Sequence, residues 1–506
     1  MDDLQELIHI INRNKVKHIA VIGNARSGHS KVQEFYQLIS DGSLVSDEAA
    51  AQYFYNAGPR NRKYLDLKKR LKDRLYNTAL FIDVNQPRYD NMGKAYYSSW
   101  KDFAVAKVLI ARGSTLASMQ LLEKLLKKCL KYEFTELSID ILRFLRQKVA
   151  THYFDEKKFC RYNALLQEQL ERYQLELQVE EFYASLILDI YAGRYEGVPD
   201  KAQAFAKAVE KKVYDLSTYR LRLYYYSILV AGHNEARKFD KARQITEEAI
   251  AFFSSNPNYA NNATGIFQRK LFLILWQQKK FEAGLELLVQ AKRYTRDGDL
   301  SYFTNHSYFL LLCLHAGQYQ RAYELLLQTM QHKRFRTLSE FSQEKWRIYQ
   351  AYLYYLIGLG KIPGLEPKKF RINKFLNEVP NYARDKRGTN IPILIIQVLF
   401  LLLYRRYNAV IDRMEALEKY TSRHLKAESV RRSYFFIRML LKIPKADFHR
   451  AGAQRKAESF RKKLRSTPLN VTRNAYITEI MPYEILWEYA MDSLDHKFWK
   501  PRPNRR

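Results

Sequence analysis

Apolar residues recur every three to four positions along almost the whole chain. Leu4, Leu7, Ile8 and Ile11 predict a first amphipathic helix, and Ser30 to Ile39 a second, closed by Asp41-Gly42. Ser46 reads as an N-cap with acids, Asp47 and Glu48, in the turn behind it. Tyr64, Leu67, Leu71, Leu75 and Ile82 predict a longer helix that Pro87 stops. From about Ala95 onward the same period continues in helix-length segments with short breaks. Leu121, Leu122, Leu125, Leu126 and Cys129 form one stripe; Leu137, Ile141, Leu142 and Leu145 form the next; Leu165, Leu166, Leu170 and Tyr173 form a third. No stretch sustains the two-residue alternation of a strand. The apolar run from Ile391 to Tyr404 contains Pro392 and Gln397 and is shorter than the roughly 20 residues that span a bilayer, so it predicts a buried helix.

A local pattern repeats inside this helical stretch. Arg237-Lys238-Phe239-Asp240-Lys241-Ala242, Lys279-Lys280-Phe281-Glu282-Ala283-Gly284, Gly317-Gln318-Tyr319-Gln320-Arg321-Ala322 and Arg405-Arg406-Tyr407-Asn408-Ala409-Val410 share a polar or glycine turn, an aromatic, and a small or branched residue three positions later. Gly193-Arg194-Tyr195 begins a fifth, interrupted copy. The aromatic opens the second helix of a hairpin, and the small residue lets the two helices approach. Over residues 180–420 this resembles the tetratricopeptide repeat family, most closely at Phe309 to Thr329, with Gly317, Tyr319 and Ala322 on the family's Gly-x-Tyr-x-x-Ala step. The aromatic anchors lie roughly 40 residues apart, against a family period of about 34.

The resemblance implies an all-α fold: a right-handed α-solenoid of antiparallel helix pairs, with a helical N-terminal region and a C-terminal capping helix. Residues 1–95 make the N-terminal region and 96–445 the repeat array. Residues 446–475 read as a basic linker. Residues 476–506 read as the capping helix, with Ile485, Leu486, Tyr489 and Leu494 on its apolar side, and a disordered basic tail. The resemblance further implies a non-catalytic scaffold that binds a protein or peptide segment in a concave groove lined by the first helix of each pair. Asn234, Arg269, Trp276 and Ser307 occupy the positions that match groove-facing ones.

Composition sharpens this picture. The 506 residues are 47% hydrophobic, with only 18 glycines and 13 prolines but 38 tyrosines. Few turn residues exclude an all-β fold. Tyrosine suits thin two-layer arrays, where a ring is buried and its hydroxyl stays at the rim. The formal net charge is +32, which attracts polyanions. A nucleic-acid-binding array, for RNA or single-stranded DNA, is therefore the alternative function. Arg455, Lys456, Arg461, Lys462, Lys463 and Arg465 are its candidate phosphate contacts. In the mixed clusters Tyr219–Tyr226 and Arg431–Arg438, amphipathicity places the rings inward and the cations outward.

Catalytic and metal chemistry find little support. Gly23-Asn24-Ala25-Arg26-Ser27-Gly28-His29-Ser30 approaches a phosphate-binding loop, but His29 stands where the lysine should be, and no βα series follows. It reads as a loop between helices. The histidines show no paired-ligand spacing, and no nucleophile elbow occurs. Cys129, Cys160 and Cys313 read as small buried hydrophobes of a reducing compartment. The acidic start, Met1-Asp2-Asp3-Leu4, is not a secretory signal. No cofactor, no metal, no membrane span and a cytoplasmic location are the expectations.

Overall fold

The predicted stripes close into helices with the caps the sequence supplies. A computed structural model describes residues 1–13, 30–83, 91–192, 194–256, 258–259, 261–291, 297–365, 390–424, 430–469 and 479–494. Among these residues there are 21 α-helices and no strand. The chain divides into two compact units, Met1–Leu170 and Glu171–Arg506.

The first unit begins with α1 (Asp2–Arg13), α2 (Lys31–Ser40), α3 (Asp47–Tyr55) and α4 (Arg62–Ala79). Ser30, Ser46 and Asn61 cap α2, α3 and α4 by accepting hydrogen bonds from backbone N–H groups. The predicted residues Tyr64, Leu67, Leu71 and Leu75 are fully buried, and α1, α2 and α3 all pack on α4. The Asp47 carboxylate ties this bundle. It accepts from Lys68 Nζ at 2.7 Å, from the Tyr64 hydroxyl, and from the amino group of Met1 at 3.0 Å. Partial burial opposes its charge, yet these three donors outweigh it and hold the carboxyl down at about 2. Next come α5 (Asn91–Ala111), α6 (Thr115–Lys131) and α7 (Thr135–Lys148), each packed on its neighbour, and a π-helical turn at Val149–Tyr153. The boundary between the units falls inside α8 (Glu156–Tyr191).

In the second unit the helices are α9 (Val198–Asp215), α10 (Tyr219–Glu235), α11 (Phe239–Ser255), α12 (Asn261–Gln277), α13 (Phe281–Ala291), α14 (Leu300–His315), α15 (Tyr319–Met330), α16 (Glu340–Gly358), α17 (Asn390–Leu403), α18 (Tyr407–His424), α19 (Arg431–Leu440), α20 (Arg450–Ser466) and α21 (Tyr483–Asp492). Each packs on the next, as a helical repeat requires. The predicted buried helix is α17, where nearly every residue is out of solvent.

One turn recurs between helices, and it explains the repeated sequence pattern. A residue in the left-handed region ends the first helix: Arg237 (φ 57°), Lys279 (φ 59°), Gly317 (φ 76°) or Arg405 (φ 53°). The next residue donates its N–H five positions back: Lys238 to His233 O, Lys280 to Leu275 O, Gln318 to Cys313 O and Arg406 to Leu401 O, all within 2.8–2.9 Å. This is the Schellman closure. The same residue is the N-cap of the following helix, so two residues make the whole connection. The small residue four positions further on is buried in each copy: Ala242, Gly284, Ala322 and Val410. A Cβ on Gly284 would lie 3.0 Å from Leu312 Cδ2, so the closest approach of α13 to α14 excludes a larger side chain. The same backbone bond closes Asp189–Arg194, at the interrupted fifth copy, and also Leu109–Ser114, Cys129–Phe134 and Leu356–Lys361, where the sequence pattern is too degenerate to read.

The expected basic linker contains a helix. In α20 the residues Ala453, Ala457 and Leu464 form a buried stripe against α19 and α21, although most positions between them are charged. Beside it, Arg432 corrects the expectation that the cations of its cluster face outward. Its guanidinium donates to both Glu479 oxygens at 2.8 Å, to both Glu484 oxygens at 2.8 and 2.9 Å, and to the carbonyls of Leu464 at 3.0 Å and Thr467 at 2.7 Å. The Glu479 carbonyl in turn accepts from His315 Nε2 at 3.0 Å, with the imidazole as the donor tautomer. One buried cation thus ties the end of α14, α19, the end of α20 and the start of α21. Arg222 is inward too, its guanidinium 4.0 Å from the Tyr214 ring centroid. A guanidinium can be buried this way because its planar fork is satisfied by fixed acceptors and ring faces.

Two predictions follow from these geometries. Lys279→Gly relieves a left-handed non-glycine residue and stabilises the protein by about 1 kcal/mol, whereas Gly317→Ala destabilises it by a similar amount. Urea denaturation midpoints moving in opposite directions are the expected readout. Arg432→Met leaves the buried Glu479 carboxylate without its cation and costs about 3–5 kcal/mol, part of which Glu479→Gln added to it restores.

Candidate binding face on alternate helices

Side chains on alternate helices of the second unit reach one another. Glu176 on α8 accepts from Thr218, the N-cap of α10, at 2.8 Å, and Arg220 of α10 pairs with Glu180 of α8 at 2.7 Å. The Tyr183 ring of α8 lies 5.6 Å from that of Tyr224 on α10. Lys270 of α12 places its Nζ 5.7 Å from the Tyr183 ring centroid. Phe272 of α12 stacks on Tyr308 of α14 at 5.3 Å, with an interplanar angle of 25°. Ser307 Oγ of α14 and the Tyr349 hydroxyl of α16 are hydrogen-bonded at 3.0 Å. Lys345 holds its Nζ 5.7 Å from the Tyr349 ring centroid. A continuous row of rings, hydroxyls and cations therefore runs through α8, α10, α12, α14 and α16.

The cations of the second unit are matched in different ways. Arg194 and Lys201 meet Asp189, Arg432 meets Glu479 and Glu484, and within the row Arg220 meets Glu180, whereas the buried Arg222 has Ser217 Oγ and two ring faces. Among the described residues, Arg269, Lys270 and Lys345 have no carboxylate within ion-pair distance and no hydrogen bond. Each keeps part of its surface open to solvent and is nonetheless surrounded by protein. Burial lowers the pKa of all three. Lys270 is pushed down to about 8, first by burial and then by the positive charge of Arg269. The phenol of Tyr308 is the polar group facing both Arg269 and Lys345.

Of the four residues expected to line a groove, the structure brings two into this row. Arg269 is one of its free cations. Ser307 sits beneath the surface at 2% exposure and orients Tyr349. Trp276 is fully buried, 5.6 Å from Phe272 and edge-on to His315 at 5.0 Å, and its indole N–H has no hydrogen-bond partner. Asn234 lies near the end of α10 with its side-chain oxygen buried and unpaired, apart from the other three.

Sequence reasoning missed Lys270, Tyr308, Lys345 and Tyr349. The missed signal was the placement of acids. The segments of α12 and α14 contain no Asp or Glu, while α11, α13 and α15 between and beside them carry Asp240, Glu247, Glu248, Glu282, Glu286 and Glu324. Within the row only α12 and α14 are acid-free; α8 carries Glu176 and Glu180, α10 Glu235, and α16 Glu340 and Glu344.

The candidate phosphate contacts lie on α20 and differ among themselves. Arg455, Lys462 and Arg465 are exposed. Arg461 pairs with Glu488 at 2.6 Å, Lys456 donates to the carbonyl of Lys445, and Lys463 lies 5.9 Å from the Phe460 ring centroid. The loop from Gly23 lies outside the described residues except for Ser30, which caps α2. Lys31 beside it is turned onto the Tyr55 ring at 4.5 Å. Burial pushes the Cys129 thiol up to about 12 and the Cys313 thiol up to about 11, so both remain thiols; Cys160, expected inside, is exposed. No group of His, Cys, Asp and Glu among the described residues is placed to hold a metal ion, and no described helix is long and apolar enough to cross a membrane. Compared with known proteins, the chain matches no family model, no curated protein and no solved structure.

The lowered pKa of Lys270 has a thermodynamic signature. Its folded value, about 8, is below the roughly 10.4 of an unfolded lysine, so between these values the unfolded chain binds more protons. This lysine therefore makes stability rise with pH across that window. Lys270→Met removes that rise and is the more stable form at neutral pH. Melting temperatures of both proteins between about pH 7 and about pH 10 measure the difference.

Proposed function

We propose that the protein is a non-catalytic binding protein. In this reading its second unit is a right-handed solenoid of antiparallel, tetratricopeptide-like helix pairs, and a partner segment lies along the even-numbered helices. The supporting observation is the row from Tyr183 to Lys345: polar and aromatic side chains gathered across alternate helices, with three cations left without carboxylates. Repeat arrays bind through surfaces made by successive repeats, because each contributes the same helix to the same face. The recurring turn supports the pairing, since two residues leave a helix little choice but to fold back on its predecessor. The reading assigns no catalytic residue and no cofactor, and it places the protein in the cytoplasm.

The test is site-specific photocrosslinking in the cells that make the protein. A photoreactive residue in place of Tyr308 is expected to capture a protein partner, and one in place of Leu327, exposed on α15, is not. Equal capture at both positions, or none at Tyr308, removes the even-numbered helices as the binding face.

A second reading has one observation in its favour. Arg455, Lys462 and Arg465 project from α20 into solvent, where a nucleic-acid backbone could meet them. It requires affinity whose logarithm falls steeply with the logarithm of salt concentration and that drops in an Arg455→Gln/Lys462→Gln/Arg465→Gln variant.

A further inference from the structure

We infer that the partner segment is acidic: a stretch of extended polypeptide whose Asp or Glu carboxylates pair with Arg269 and Lys270 on α12 and with Lys345 on α16. This deepens, and rests on, the reading of the even-numbered helices as a binding face.

The first argument is the unpaired charge itself. Drawing a cation toward the interior is unfavourable unless an anion or an array of acceptors accompanies it. The second unit supplies carboxylates at Asp189, at Glu180 and around Arg432, and a hydroxyl and two ring faces at Arg222; at Arg269, Lys270 and Lys345 it supplies neither a carboxylate nor a hydrogen bond. A carboxylate arriving from outside supplies what the chain withholds. The absence of Asp and Glu from α12 and α14 is the complement: no acid on those two helices competes for Arg269 and Lys270 or repels the ligand there.

The second argument concerns the kind of anion. A single-stranded nucleic acid is held by stacking its bases on open aromatic faces as well as by phosphate contacts. The rings here are already engaged. Phe272 and Tyr308 stack on each other, Tyr183 packs against Tyr224 and Lys270, and Lys345 lies over Tyr349. What remains available is cationic charge, together with the phenol of Tyr308 between Arg269 and Lys345. That set suits carboxylates on a peptide better than nucleobases.

Geometry limits the length of the segment. Two interhelical steps of about 8–10 Å separate α12 from α16. An extended chain covers about 3.4 Å per residue, so carboxylates about five to six residues apart reach both ends of the row.

The experiment measures fluorescence anisotropy of the full chain against three labelled probes: a twelve-residue Glu/Ser peptide with acids spaced five apart, its Gln/Ser counterpart, and a twelve-nucleotide oligothymidylate. The expected result is binding of the acidic peptide, no binding of the glutamine peptide, and a tenfold or greater loss of affinity in Arg269→Gln/Lys345→Gln. An Arg455→Gln/Lys462→Gln variant should bind the acidic peptide as the unaltered protein does. Equal binding of the acidic peptide to both variants overturns the inference, as does oligothymidylate binding that Arg269→Gln/Lys345→Gln abolishes. Circular dichroism melting of each variant excludes unfolding as the cause of a loss. If the crosslinker at Tyr308 captures a protein partner while the acidic peptide fails to bind, the face stands and the acidic chemistry falls.

Discussion

The second unit depends on how closely successive helices approach across a two-residue turn. A left-handed residue closes the last carbonyls of one helix, and the next residue already caps the following one. With so short a connection, the helices touch near the turn, and the fourth position of the second helix must be small. Ala242, Gly284 and Ala322 meet that demand, and Val410 marks its upper limit in the copies described. Along the same helices, residues far apart in sequence, from Tyr183 to Lys345, come together in one row of side-chain contacts.

Buried charge is managed in two opposite ways within that unit. At Arg432 every donor of the guanidinium has an acceptor, and the acceptors come from distant segments. The cation is therefore part of the fold, fixing where α19, α20 and α21 meet. On α12 and α16 the cations Arg269, Lys270 and Lys345 are drawn in without acceptors, and their lowered pKa values record the unfavourable environment. The same elementary desolvation thus has two outcomes within one unit: a fully satisfied ion cluster, and three cations without carboxylates.

Much of the architecture was legible in the order of residues. The stripe of Tyr64, Leu67, Leu71 and Leu75 marked α4, Ser46 marked the start of α3, and the apolar run from Ile391 marked α17. Four of the turns could be read because an aromatic and a small residue stood at fixed offsets. The others were hidden because the aromatic position after the turn holds Thr115, Thr135 or Ile362, even where Gly113 and Gly360 take the left-handed position as Gly317 does. Helix α20 was hidden by composition: three small or apolar residues, Ala453, Ala457 and Leu464, suffice to bury one side of a helix whose remaining positions read as a solvated run. The inward course of Arg432 was unreadable for a different reason, since its partners Glu479 and Glu484 lie nearly fifty residues away. Of the residues in the row from Tyr183 to Lys345, Arg269 and Ser307 were within reach through the repeat register, but Lys270 and Lys345 needed knowledge of which cations lacked acids. That was partly written in the chain, in the acid-free segments of α12 and α14.

The stacking of each helix mainly on its sequence neighbours also decides how the second unit bears mechanical load. Tension applied along such an array is transmitted from one hairpin to the next, and each interface can part without the others. Extension then proceeds by successive peeling, with many small rips in place of one rupture. The Arg432 cluster interrupts that behaviour at the C-terminal side. It links His315 to segments more than a hundred residues further along, so α19, α20 and α21 act as a latch that must open before the helices inward of it can be drawn out. A chain built this way yields like a spring with one end locked.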